Sequence, residues 1–107
     1  MSFLAIFTFD LTNTSSSDNI AYNTIDNHLI DLGLLKYLVS NNNINSNLPN
    51  NTYAGVFRGA SARKVCDDLF TSIEIIFNQK QISANVFLAV GGDSWAWRTR
   101  RYQFNTH

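Results

Sequence analysis

A chain of 107 residues, 45% of them hydrophobic, has the size and apolar content of one folded domain spanning 1–107. Its formal net charge of zero makes attraction of the whole molecule to nucleic acid weak and leaves only a local patch for such a role. The same neutrality gives little colloidal protection and favours association, and a chain this short gains from dimerising because alone it buries a modest share of its surface.

The charge is unevenly spread. Residues 1–57 hold one base, Lys36, against Asp10, Asp18, Asp26 and Asp31, whereas residues 58–107 carry a net positive charge. The single cysteine, Cys66, allows no internal disulfide, so nothing points to an oxidising compartment and a cytoplasmic location is expected. Cys66 itself reads as a small buried hydrophobe. A nucleophilic role would want a histidine beside it, and the histidines are only His28 and His107. The N-terminal run has no basic leader, meets an acid at Asp10 and is expected to be a strand rather than a signal peptide. No apolar stretch approaches the ~20 residues of a membrane-spanning helix.

In chain order, FLAIFTFDL (3–11) is apolar on both alternating faces until Thr8 and Asp10, the pattern of a strand in the middle of a sheet. The Ser/Thr/Asn/Asp run at 12–19 is expected to turn. Tyr22, Ile25, Leu29 and Leu32 then recur at helical spacing, and Gly33 is a natural helix stop. LLKYLVS (34–40) predicts a short strand, the Asn-rich run 41–51 a long hairpin loop, and TYAGVFR (52–58) another strand whose Gly55 signals a bulge or a close backbone approach. Ser61 is suited to cap a second helix running to about Gln79, with Val65, Leu69, Ile73, Ile76 and Phe77 as its apolar stripe. NVFLAV (85–90) predicts a buried strand and GGDS (91–94) a turn. In 95–104, Trp95, Trp97, Thr99 and Arg101 alternate with Ala96, Arg98, Arg100 and Tyr102, as in a fifth edge strand, a swapped strand or a tail.

Strand–helix–strand–strand–helix–strand with right-handed crossovers favours an α+β sandwich of the ferredoxin-like βαββαβ kind. Two helices would lie on one face of an antiparallel sheet, with 3–11 and 52–58 as the central strands and an extra C-terminal strand at one side.

Asp10 is the sharpest chemical candidate. A carboxylate where a central strand opens into a polar loop can bind Mg²⁺, a hard oxygen-preferring cation. One carboxylate is not a site, but two copies in a symmetric dimer could share a metal that activates water against a phosphodiester. The alternative is that Asp10 caps the loop through backbone N–H groups. The second constellation is WAWRTRRY, in which Arg98, Arg100 and Arg101 could contact phosphates while Trp95 and Trp97 stack on bases. The same residue types are also enriched at protein interfaces. No catalytic triad, zinc set or dinucleotide fingerprint is present.

The phrase FTFDL (7–11), the Ser/Asn-rich loop behind it, the element order and the ending GGDSWAW (91–97) resemble a broad ferredoxin-like group. It contains the small CRISPR-associated adaptation subunit, VapD-type ribonucleases, SinR-like small proteins and the GhoS-type antitoxin ribonuclease. That resemblance implies a homodimer and a metal-dependent endoribonuclease of toxin–antitoxin or CRISPR-related type, with Asp10 as its metal-binding, catalytic acid. The Asn-rich loop and the WAWRTRR ending depart from the adaptation-subunit pattern. Two readings stand at this point: a nucleic-acid-associated dimer, nuclease or relict of one, and a non-catalytic interaction or structural dimer using the Trp/Arg-rich segment.

Overall fold

A computed structural model describes residues 2–12, 18–39, 43–92 and 95–104, with backbone only for 18–21, 39 and 95–97. Residues 13–17 of the loop expected at 12–19, the turn residues Asp93 and Ser94, and His107 lie outside the described residues.

The chain is α+β. In order it forms β1 (Ser2–Leu11), α1 (Asp18–Leu32), β2 (Tyr37–Val39), β3 (Asn45–Asn47), β4 (Thr52–Arg58), α2 (Ala62–Lys80), β5 (Ala84–Gly91) and β6 (Trp95–Tyr102). A four-stranded sheet, wholly antiparallel, has the order β4-β1-β5-β6, and β2 with β3 makes a separate two-stranded ribbon.

Alternation builds the core. Phe3, Ala5, Phe7 and Phe9 on one face of β1 are buried, as are Val86, Leu88 and Val90 on β5. Ile25 and Leu29 of α1 and the α2 stripe of Val65, Cys66, Leu69, Phe70, Ile73, Ile76 and Phe77 close over the same face. Both helices therefore share one core on one side of the sheet. Each large apolar side chain removed from water in this way contributes about 1.5–3 kcal/mol. The caps match the sequence. Ser61 Oγ accepts the Lys64 N–H at 3.1 Å to start α2. Gly33 ends α1 at φ 103°, a left-handed turn in which its N–H donates to the Ile30 carbonyl.

Three expectations are corrected. The strand 52–58 is not an inner strand. It ends the four-stranded ladder as β4, and the second central position belongs to β5. The reason lies in 34–40. Leu35 makes a single bridge to Ala54, each N–H donating to the other's carbonyl at 2.8 Å, and the chain then leaves to pair β2 with β3. The Asn-rich run thus carries a strand where a loop was expected. Asn43 and Asn51, at φ 61° and 63°, supply left-handed turns on either side of β3, a backbone state that asparagine tolerates better than most residues. The strand 85–90 is buried on one face only, because Phe87 is 40% exposed. The C-terminal alternation does form an extra strand, β6, paired with β5 throughout its length.

Gly55 is where two backbones meet. A Cβ there would collide with the Gly33 carbonyl oxygen and press on the Phe57 ring. Because backbone cannot yield as a side-chain tip does, Gly55→Ala is expected to destabilise the fold by about 1–3 kcal/mol in urea titration. An unchanged midpoint would mean that the two segments are not in contact.

Candidate interaction face

The sheet has one covered face and one open face. On the open side the cross-strand rows can be read from the register. Arg58 faces Ser2. Val56, Leu4, Gly91 and Trp95 form the next row, then Ala54, Ile6, Ala89 and Trp97, then Thr52, Thr8, Phe87 and Thr99, and finally Asp10, Asn85 and Arg101. Ala54 and Gly91 are buried, Leu4, Ile6, Thr8 and Ala89 are half-buried, and Val56 is 67% exposed. Among the described residues the helices pack on the opposite face of β1 and not on this one. The face is therefore apolar in its middle and charged at its ends.

Asp10 is an exposed residue of a central strand, as expected. Its carboxylate has no ion pair or hydrogen bond among the described residues, and most of the loop it was expected to cap lies outside them. In its row stand Asn85 and Arg101, not a second acid. Among the described residues no three His, Cys, Asp or Glu side chains gather where a metal could sit. Among the described residues the donor set within one copy is thus a single carboxylate, which alone does not fit a resident Mg²⁺.

The aromatic–basic segment is divided between the two faces. Arg98, opposite Leu88, and Arg100, opposite Val86, stand on the helix side. There Arg98 Nη2 meets Asp67 Oδ1 at 2.7 Å, and Arg100 Nη1 meets Glu74 Oε2 at 3.0 Å with its guanidinium over the Phe70 ring. These two arginines fasten β6 to α2. Arg101 and the backbone positions of Trp95 and Trp97 belong to the open face, and the tryptophan side chains lie outside the described residues. Of the residues expected to bind nucleic acid, Arg98 and Arg100 therefore lie on the opposite face of β6 from Arg101.

Sequence reading missed a polar cluster beside α1. Tyr53 donates its hydroxyl to Asp26 Oδ1 at 2.8 Å, and Lys36 sits 3.9 Å from the same oxygen and over the Tyr53 ring. No spacing signals it, because its members come from α1, the segment after it and β4. Burial first, then the hydrogen bond to Asp26, pushes the Tyr53 hydroxyl far above its ordinary ionisation range. Such a group stays protonated and ties α1 to β4; it is not a base near neutrality. Cys66 is fully buried, and burial raises its thiol pKa, so it packs rather than reacts.

Tyr102 is similar but less well paired. Its buried hydroxyl has no partner in hydrogen-bonding geometry among the described residues, and burial, followed by the nearby Glu74 carboxylate, pushes its pKa from 10.0 up to about 12. The folded state prefers the neutral phenol, so the stability it carries is complete below pH 10 and is lost as pH rises through about 12. Tyr102→Phe should leave the thermal midpoint at neutral pH nearly unchanged, since it removes an unpaired hydroxyl, and should soften the alkaline decline. Thermal melts across that range check this, and an equally steep decline would contradict it.

No family model, curated protein or solved structure matches the chain.

Proposed function

We propose that this chain is a non-catalytic interaction module that works as a homodimer, burying the open face of its sheet against the same face of a second copy. The observation that carries this is an apolar sheet face, centred on Ile6 and Leu4 with Val56 beside them, that no helix covers among the described residues. Four strands ~4.8 Å apart and ~27 Å long present a footprint of the order that a standard interface takes from each partner. The zero net charge sets no long-range repulsion between copies. The arginines nearest the helices are engaged by Asp67 and Glu74, which weakens the case for a phosphate-binding strip. The ferredoxin-like assignment belongs to this reading. It is supported by β1 lying between β4 and β5, each antiparallel to it and each reached through a helix, with β6 as an addition. A cytoplasmic setting belongs to it as well.

A second reading, the metal-dependent endoribonuclease, is favoured by one observation: Asp10 is exposed and unengaged on a central strand. It requires two Asp10 carboxylates close together, with RNA or DNA as substrate and Mg²⁺ shared between copies.

Light scattering combined with gel-shift titration separates the two. The interaction reading expects a particle of twice the 12.1 kDa chain mass and no retention of RNA or DNA at low salt. A monomer, or binding that falls steeply with salt, would contradict it.

A further inference from the structure

The four-stranded sheet has two outer strands, and their free edges differ. β6 carries Arg98, Arg100 and Arg101, charges of the kind that keep further strands from adding. The edge of β4 is half used. Ala54 turns its N–H and carbonyl away from β1, because both are bonded to Leu35 at 2.8 Å, and Thr52 donates to the Pro49 carbonyl on the same side. Backbone groups on one edge recur at every second residue, so Val56 and Arg58 point theirs the same way. Among the described residues nothing pairs with them there. Beside this free stretch lies a cleft of about 200 Å³, floored by Phe57, Val65 and Leu69 and rimmed by Arg58, Lys64 and Asp68. It is smaller than the ~300–1,000 Å³ of a small-molecule pocket and suits one aliphatic side chain. Lys64 and Asp68 pair with each other at 3.0 Å, whereas Arg58 and the exposed Arg63 have no ion pair among the described residues. The rim is therefore positive.

We propose that the free end of β4 takes an extended acidic peptide of a partner protein as an added strand, with one aliphatic side chain seated in the cleft and a neighbouring carboxylate at Arg58. The contact is made in the plane of the sheet, so it leaves the open face to the second copy and does not depend on it. Main-chain hydrogen bonds hold such a peptide, and the pocket for one side chain selects it. Leu35 already runs antiparallel to β4, and a strand in line with it passes Val56 and Arg58. Residues directly opposite one another share a face of the sheet. The peptide residue opposite Phe57 therefore stands on the helix side, beside the cleft. The residues opposite Val56 and Arg58 exchange the hydrogen bonds. An acid opposite Arg58 makes a cross-strand pair of opposite charge, and Arg63 adds to the same field. A second copy of β4 fits the edge poorly. Pairing it with itself about Phe57 would bring two Arg58 side chains together on one face.

The probe is the blocked peptide acetyl-Ser-Glu-Ile-Thr-Ser-amide, which sets glutamate opposite Arg58, isoleucine opposite Phe57 and threonine opposite Val56. Titrated into the parent chain and followed by proton–nitrogen NMR, it should saturate and move the Val56 and Arg58 amides most. Methylating the threonine nitrogen, which faces β4, should weaken binding at least about tenfold, whereas methylating the isoleucine nitrogen, which faces away, should leave it within about threefold. Arg58 is exposed, so Arg58→Glu keeps the fold. That variant should bind the peptide about tenfold more weakly and should prefer the version with lysine in place of glutamate. Absence of saturation, equal losses from the two methylations, or an Arg58→Glu variant indifferent to the charge swap overturns the proposal. So does a short oligouridylate that moves the same amides at lower concentration than the peptide does, which would make the edge a nucleic-acid contact.

Discussion

Phe77→Ala should lower the free energy of unfolding by about 3–5 kcal/mol. In a domain whose whole stability is on the order of 5–15 kcal/mol, that takes the chain most of the way to unfolding near body temperature. Phe77 is fully buried on α2, and its ring touches three others. It meets Phe7 and Phe9 of β1 edge-on, with centroids 6.3 and 6.0 Å away, and stacks on Tyr102 of β6 at 5.4 Å and 14°. The one side chain therefore binds the helix to a central strand and to the edge strand at once. Truncation leaves a cavity bounded by aromatic rings that cannot flex into it. Urea titration by circular dichroism measures the loss, and Phe77→Leu, which keeps much of the volume, should cost distinctly less. A loss under about 1 kcal/mol for the alanine variant would mean that the ring is not central to the core.

The second large effect is on association. Ile6→Glu should weaken dimerisation by at least about 100-fold, because it sets an unpaired carboxylate inside the buried patch. Folding should survive, since Ile6 is half-buried in the single copy and faces away from the helices. The expected result is a chain with the parent's circular dichroism spectrum and cooperative unfolding, migrating and scattering as a monomer. A variant that still dimerises with parental affinity would move the interface elsewhere, for instance to the unpaired outer edge of β6. Both measurements are needed, because loss of dimer together with loss of structure would speak to the core rather than to the face.

Much of this arrangement is legible in the residues. The apolar residues on both faces of 3–7 announce a central strand, and the α2 stripe, the Ser61 cap and the Gly33 stop match the structure closely. The partition of the last strand is legible too: Arg98 and Arg100 alternate with Arg101, so three arginines close in sequence cannot share one face of a strand. What the sequence withholds is which of those faces meets α2. That depends on Asp67 and Glu74 standing across from Arg98 and Arg100, a contact made only when the sheet and helix close together. The edge position of β4 was hidden for a comparable reason. Local pattern shows that 34–40 and 52–58 suit strands, but not that the chain after Leu35 would turn away to pair with Asn45–Asn47. Asp10 is visible from its place at the end of an apolar run. Its lack of a neighbouring acid is a property of the register with β5 and β6, and only pairing reveals it.

Hydroxyl-radical footprinting of the parent chain at rising concentration tests the central claim most directly. Val56 on the open face and Ile75 on α2 are both well-exposed aliphatic side chains in the single copy, at 67% and 50%. The account predicts that Val56, with Leu4 and Ile6, becomes protected as the copies associate while Ile75 keeps its reactivity. Equal reactivity of Val56 and Ile75 throughout, in a solution where the dimer has formed, would contradict it.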